Sequence, residues 1–275
     1  MEYKMIINGF KTKASAIRHL RANGHNICTI LAKPESNPKV AKNGKMVDVM
    51  TAPLHLAPFN LSGFQVCASA SAGCAAACLH TAGNPAYMAS KEKSRITKTQ
   101  AYFKQRKAFL AVLVFEMLSH RTKWIAQGFD VAYRLNATSD LPFELRKVEI
   151  DGVEISIMDY FSDCQFYDYT AVTKRAIAWA EGRMPANYHI TFSRKENNDA
   201  ACLDVLAAGG NVAVCAEISV YKNATQNGMV HMLGQWWNAS DGDLHDYRPA
   251  DPKGVAVMLK AKGDAKHDTS GFTLR

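Results

Sequence analysis

No stretch of this sequence approaches the ~20 consecutive apolar residues that a membrane-spanning helix needs. The longest strongly apolar run is Ala108 to Phe115, AFLAVLVF. The first residues, MEYKMIINGFK, hold no apolar signal core, so a secretory signal is not expected. Internal repeats, low-complexity tracts and any obvious interdomain linker are missing too. Charged residues make up only 21% against 48% apolar, a balance that excludes disordered, collagenous and coiled-coil chains. Together these absences predict a globular, cytoplasmic protein with no membrane partner.

The length is 275 residues, enough for one large domain or two small ones. A core of that size needs no covalent staples, because about three-quarters of the unfolded surface becomes buried. Lys and Arg number 33 against 25 Asp and Glu, a net charge of +8. That excess favours anionic partners such as nucleotides, nucleic acid or phosphorylated molecules.

Lys33 to Lys45 (KPESNPKVAKNGK) is the most loop-like stretch. It marks off a leader, residues 1–36, expected to pack on a single main domain, residues 37–275. Within the leader, Lys13 to Ala22 reads as an amphipathic helix closed by Asn23-Gly24. Lys91 to Ala126 reads as one long helix, with Ile96, Phe103, Leu110, Val114, Met117 and Leu118 at helical steps. Five β-like runs follow: Asp130 to Leu135, Cys164 to Tyr169, Tyr188 to Phe192, Asn211 to Ala216 and Gly254 to Lys260. Helices are predicted between them over Ala171 to Glu181 and Asn198 to Ala208. Several runs are apolar on both faces, which suits a parallel sheet covered by helices. The expected class is α/β, parallel strands alternating with helices, TIM-barrel-like or a partial barrel.

The C-terminal ends of such strands are where sites are built. Here they carry Arg134, Asn136, Ser139 and Asp140, then Asp168 and Tyr169, then Ser193, Arg194 and Glu196, then Cys215 and Glu217, and last Lys260 and Lys262. Polar loops are ordinary at any one strand; recurrence on five strands predicts a shared site.

Three of the seven cysteines, Cys67, Cys74 and Cys78, fall in one short segment of Ala, Ser and Gly. Cys74 and Cys78 are four apart, so on a helical turn their thiols face the same way. Small neighbours let backbone amides approach whatever the thiolates hold. Neighbouring thiols in a reducing compartment indicate a metal site rather than a disulfide framework. Structural zinc takes four ligands, often as two close pairs, and no second CxxC or HxxxH pair exists. Three local cysteines suit three irons of a cubane, so an iron–sulfur cluster, 4Fe-4S, ranks first, zinc second and free thiols third. The spacing is not the CxxxCxxC of radical S-adenosylmethionine enzymes. His80 is a possible ligand or neighbour. The other cysteines read as small core residues, with Cys164 and Cys215 at strand positions within conceivable reach of the cluster.

From Lys91 to Lys107 seven basic residues stand against one acid, Glu92. Such a helix is either a solvated face or an anion-binding one for nucleic acid. Trp236-Trp237 reads as core, with a stacking platform as the rarer use. DGDLHDYR (Asp241 to Arg248) gathers Asp241, Asp243, His245 and Asp246; alternation along an extended segment would put Asp241, Asp243 and His245 on one side, a pattern for a cation or a general base. The C-terminal KAKGDAKHDTSGF again groups Lys260, Lys262, His267, Asp268 and Ser270.

The strings LHLAPFNLSG (54–63), CASASAGCAAACLHTAG (67–83), RLNATSDLPFE (134–144), FYDYT (166–170), YHITFSRKEN (188–197), DGDLHDYR (241–248) and LKAKGDAKHDTSGF (259–272) resemble a family of uncharacterised bacteriophage and prophage proteins, from about Asn37 to the C-terminus. Some members are labelled as related to rolling-circle replication initiators. The chain is also distantly similar to a mycobacteriophage gene-product family with a comparable three-cysteine segment. The resemblance implies a phage origin and a place in the host cytoplasm. The replication label would imply an HxH-type metal motif and a nucleophilic Tyr on a helix; no HxH is present, and Tyr167 and Tyr169 fall on a predicted strand. More distant relatives have further C-terminal cysteines, whereas this chain ends in SGFTLR.

The sequence thus predicts an iron–sulfur enzyme doing redox or Lewis-acid work on a small anionic or nucleotide-like substrate. Cys67, Cys74 and Cys78 would hold the cluster. Arg134, Asn136, Ser139, Lys260 and Lys262 would bind substrate, and Asp140, Glu196 and His245 would hold or shift protons. The rival is a replication-associated nucleic-acid-binding protein with a structural metal, contacting its partner through Lys91 to Lys107.

Overall fold

The computed structural model describes residues 5–78 and 88–275. The first half contains α1 (Lys13–Ala22), α2 (Asn43–Met46), β1 (Val49–Pro53), α3 (Ala72–Ala76), α4 (Ala89–Lys104), α5 (Arg106–Ala126), β2 (Asp130–Arg134), β3 (Lys147–Ile150) and β4 (Val153–Ser156). The second half contains α6 (Ile157–Tyr160), β5 (Gln165–Thr170), α7 (Thr173–Ala180), β6 (Tyr188–Ser193), α8 (Asp199–Ala207), β7 (Asn211–Ala216), α9 (Ile218–Asn227), β8 (Met229–Met232), β9 (Gln235–Asp241) and β10 (Ala256–Lys260).

Eight strands form one sheet in the order β1-β2-β5-β6-β7-β10-β9-β8, and β3 pairs with β4 in a separate hairpin. Every pairing in the large sheet is parallel except β8 with β9. Five of its strands follow one another in chain order. Right-handed crossovers advancing in one direction put all their helices on one face, and the core shows this. Tyr133, Phe166, Ile190, Val214 and Met258 share a single apolar cluster with Phe109 and Leu113 of α5, Ala176 of α7, Val205 of α8 and Ala224 of α9. The alternate residues of the same strands, such as Ala132 and Tyr167, lie in a smaller group with Val49. Val47 and Tyr247, which come from loops rather than helices, cover that second face.

One-sided winding is the topology from which barrels are made, so the expected alternation is present. The expected barrel does not close. Among the described residues β1 pairs only with β2, and the far end of the ladder is the antiparallel β8–β9 hairpin. A closed TIM barrel needs its last strand parallel to its first.

Thr12 and Ser15 form a reciprocal capping box that starts α1, and Gly24 takes the left-handed backbone just past its end, at φ +81°. The predicted long helix is two. Gln105 leaves the helical region at φ −133° and separates α4 from α5. Its side chain meets the leader instead, with Oε1 3.1 Å from His19 Nε2 and Nε2 donating to Asn23 Oδ1.

The leader belongs to the main core, which includes Ile7, Ala16, Leu20, Ile27, Ile30 and Leu31. Buried Glu116 of α5 latches it down. Its Oε2 accepts the amides of Ile30 and Leu31 at 2.9 and 2.8 Å, and Lys13 Nζ lies 2.7 Å from Oε1. Removing the carboxylate strands two buried donors, while the partly exposed Lys13 turns to solvent. Glu116→Ala is therefore expected to cost about 3 kcal/mol. Urea unfolding checks this; a loss below ~1 kcal/mol would mean that water replaces the latch.

Candidate functional site

The C-terminal ends of β1, β2, β5, β6, β7 and β10 form one rim, and the cysteine segment lies on it. After β1 the chain runs through His55 to Ala57, whose amide donates to Thr99 Oγ1 of α4 at 2.8 Å. The loop then turns at Cys67, where the Ala70 amide donates to the Cys67 carbonyl at 3.0 Å. Ser71 caps the short helix α3 by accepting the Cys74 amide.

The end of β6 holds this turn in place. Glu196 Oε2 accepts Ser71 Oγ at 2.7 Å, and Oε1 accepts the Gly73 amide at 2.9 Å. Lys195 Nζ donates to the Ser69 carbonyl at 2.6 Å. A Cβ at Gly73 would lie 2.7 Å from Glu196 Oε2 and closer still to Ser270 Oγ, so any larger residue would displace both side chains. Burial pushes the Glu196 carboxyl up, but its hydrogen bonds from Ser71 and Gly73 outweigh that and hold it below the usual value. Glu196 thus positions the cysteine turn as an ionised strap, with both oxygens engaged.

The three thiols are brought within electrostatic range of one another. Burial, helped by Cys74 and Cys78, pushes Cys67 up to about 12, and burial, helped by Cys78, pushes Cys74 up to about 11. Without a metal these are neutral thiols. Lys195 acts on Cys74 in the opposite sense, and Arg95 of α4 lies near Cys78. Among the described residues no three His, Cys, Asp or Glu side chains converge on a point that would hold a single metal ion. His80 lies outside the described residues. Cys215 is on the same rim, packed with Phe272 against the group of Ala77, Ala261 and Ala265. Cys164 is at the other end of the sheet, lining a cavity of about 420 Å³ with Asp163, Gln165 and Asn187. Cys28, read as a core residue, is exposed instead and accepts Arg21 Nη2 at 2.9 Å.

The predicted substrate residues divide into groups. Asn136 shapes the turn after β2: its Oδ1 accepts Ser139 Oγ and the Leu141 amide, and its own amide donates to Asp168 Oδ1 at 2.7 Å. Asp140 beside them is partly buried and tied to Arg175, Thr170 Oγ1 and the Ala171 amide. Burial pushes its carboxyl up, against the pull of Arg175. Lys262 Nζ lies 2.8 Å from Asp243 Oδ1, and the Lys260 amide donates to Asp243 Oδ2 while its side chain stays exposed.

DGDLHDYR is a turn rather than an extended segment past Asp241, so its acids do not share one side. Asp241 accepts Tyr221 Oη at 2.6 Å. Asp243 takes Lys262 and Lys39. His245 Nδ1 is buried with no hydrogen-bond partner, and burial with nearby Arg248 keeps the ring neutral. Asp246 carries the largest network, on the second face of the sheet. Both its oxygens lie 3.0 Å from Arg134 Nη1, Tyr167 Oη donates to Oδ2, and Asn43 Oδ1 accepts its amide. Fully buried Arg248 pairs with Asp251 at 3.0 Å close by.

Two residues given no role in the sequence reading matter, one of them the strand-end Asp168. His55 is pinned neutral, pushed down to about 3 by burial and then by Arg95, Arg134 and Lys98. Asp168, buried in β5, accepts Asn136 and Tyr188 Oη at 3.0 Å, yet burial pushes it up to about 7. A carboxyl with a raised folded value adds stability that is complete below its unfolded value and fades as pH rises through 7. Asp168→Asn is therefore expected to flatten the fall in stability between about pH 4 and 7, measured by urea unfolding across that range. An unchanged slope would assign the titration elsewhere.

The basic stretch is divided as well. Lys93, Lys104, Arg106 and Lys107 are exposed, whereas Arg95 and Lys98 turn toward the rim, Lys98 Nζ donating to the Ile30 carbonyl at 2.8 Å.

Residues 25–275 match one family model, Gene product 88. The chain belongs to the Gene product 88 family. That match agrees with the resemblance to a phage-type gene product and lends no support to a replication-initiator label. No curated protein matches the chain, and no solved structure does. Among the described residues no helix is long and apolar enough to cross a membrane.

Proposed function

We propose that this Gene product 88 protein is an iron–sulfur enzyme acting on a small anionic substrate at the rim. The observation that carries the reading is the trio Cys67, Cys74 and Cys78, gathered at strand ends and held from below by Lys195 and Glu196. A single zinc would draw its ligands to about 2.3 Å from one point. A cluster spreads its thiolates over separate irons. Three local cysteines with no second close pair suit a cluster first, with zinc as the lesser alternative. When bound, the cluster would supply electron transfer or Lewis acidity at an open iron. The protein supplies cations beside it, Arg95 and Lys195, which offset the charge of the thiolates.

The nucleic-acid reading is weaker, because Arg95 and Lys98 leave the basic face for the rim. Anaerobic purification followed by an absorption spectrum and iron and sulfide analysis tests the proposal. A brown protein with iron and acid-labile sulfide supports it; zinc alone, or no metal, removes it.

A further inference from the structure

Arg134 meets Asp246 in an unusual way. A guanidinium commonly grips a carboxylate with two nitrogens, one per oxygen. Here a single nitrogen, Nη1, faces both oxygens. Arg134 is 9% exposed, and its buried Nε has no hydrogen-bond partner. Its guanidinium carbon lies 4.7 Å from the centre of the Tyr169 ring, and the buried Tyr169 Oη is unpartnered as well. The neighbouring tyrosines differ, since Tyr167 Oη donates to Asp246 and Tyr188 Oη to Asp168. Buried donors are almost always satisfied, and each exception calls for a reason. Two orphans in one corner, on a residue pair otherwise held in place, call for a shared acceptor.

The charge around the corner selects its kind. His55, after β1, lies within electrostatic range of three cations, Arg95, Arg134 and Lys98, and one anion, Asp246. At Tyr169 itself Arg134 and Arg248 are matched by Asp246 and Asp251, so the positive excess lies on the His55 side of the corner, where it suits an anion such as phosphate. Arg95 also neighbours Cys78, so the corner adjoins the cysteine segment. His55 and Tyr169 are only partly buried, so the corner borders the rim, although Arg134 Nε and Tyr169 Oη themselves are enclosed.

We propose that Arg134 Nε and Tyr169 Oη form a phosphate subsite, with Arg95 and His55 beside it, and that the substrate is a small phosphate monoester. The inference rests on the anionic-substrate reading above and deepens it. It moves the anion contact from Lys262, which is paired with Asp243, to the unspent edge of Arg134.

The test is calorimetric titration with inorganic phosphate at constant ionic strength, on protein of known iron content. Wild type is expected to bind saturably, and Tyr169→Phe to bind about tenfold more weakly, the loss of one good hydrogen bond to a charged group. Because the hydroxyl has no partner in the fold, the same variant is expected to keep or raise the melting temperature without phosphate. No saturable binding, equal affinity in Tyr169→Phe, or equal binding of acetate would each overturn the subsite. Phosphate binding in protein without iron would sink the cluster reading alone. Iron-bearing protein that ignores phosphate would sink the subsite alone.

Discussion

Cys74→Ala protein, purified without oxygen, is expected to be colourless and to carry essentially no iron. The effect is all-or-none because three thiolates anchor the proposed cluster and the loss of one leaves two. It is also separable from misfolding. Cys74 is only partly buried, it sits in α3, and alanine is the best helix former. The turn around it is tied by Ser71, Gly73, Lys195 and Glu196, none of which uses the Cys74 side chain. The variant should therefore keep the melting temperature of metal-free wild type while losing metal. The raised thiols add a second signature. Neutral thiols must give up protons to bind metal, so cluster loading should weaken as pH falls. Full iron and sulfide in Cys74→Ala would end the assignment.

Much of the fold was legible because it rests on local signals. The Lys13–Ala22 helix carries its own cap and its own glycine stop, and the structure ends it at the same residues. The five β-like runs appear as β2, β5, β6, β7 and β10 because their apolar residues are dense enough to mark strands buried on both faces. What stayed hidden depends on partners distant in sequence. β1 (Val49–Pro53) contains Thr51 and Pro53 and becomes a strand only by pairing with β2. In the β8–β9 hairpin only Val230 and Met232 are buried, while Met229 and Trp236 are exposed, so two short strands give too weak a signal to stand out, and without them the sheet looked ready to close. The break at Gln105 has no proline or glycine to announce it; the contacts with His19 and Asn23 that accompany it lie more than eighty residues away.

The site divides along the same line. The cysteines, Glu196 and the strand-end polar residues stand out by type and spacing. His55 and Lys39 do not, since nothing local distinguishes a histidine after a strand or a lysine in a loop, and Tyr169, though it stands at a strand end, carries no role on sequence alone. Their meaning comes from the charges the fold sets around them. DGDLHDYR was conspicuous, but the pairing of Asp246 with Arg134, 112 residues apart, follows from the sheet and not from the motif.

That pairing predicts the largest loss of stability. Asp246→Ala is expected to cost about 4 kcal/mol, the range for breaking a buried ion pair and stranding its partner. Arg134 would keep its charge with no counterion, and Tyr167 Oη and Lys39 would each lose an interaction with the carboxylate. Asp246→Asn separates charge from shape: it keeps an acceptor for Tyr167 but leaves the arginine uncompensated, so it should lose more than half of what alanine loses. The pH dependence follows from the same network. Burial pushes the Asp246 carboxyl up, yet Arg134, Lys39 and Arg248 outweigh burial and hold it below its ordinary value. A depressed carboxyl contributes stability that is present above its unfolded value and is lost as pH falls through the folded one. Wild type should therefore lose this contribution only below about pH 4, and Asp246→Ala should lack that part of the acid transition. Chemical unfolding at pH 7 and at pH 3 measures both. If the two proteins differ as much at pH 3 as at pH 7, the stabilisation comes from packing and not from the charge.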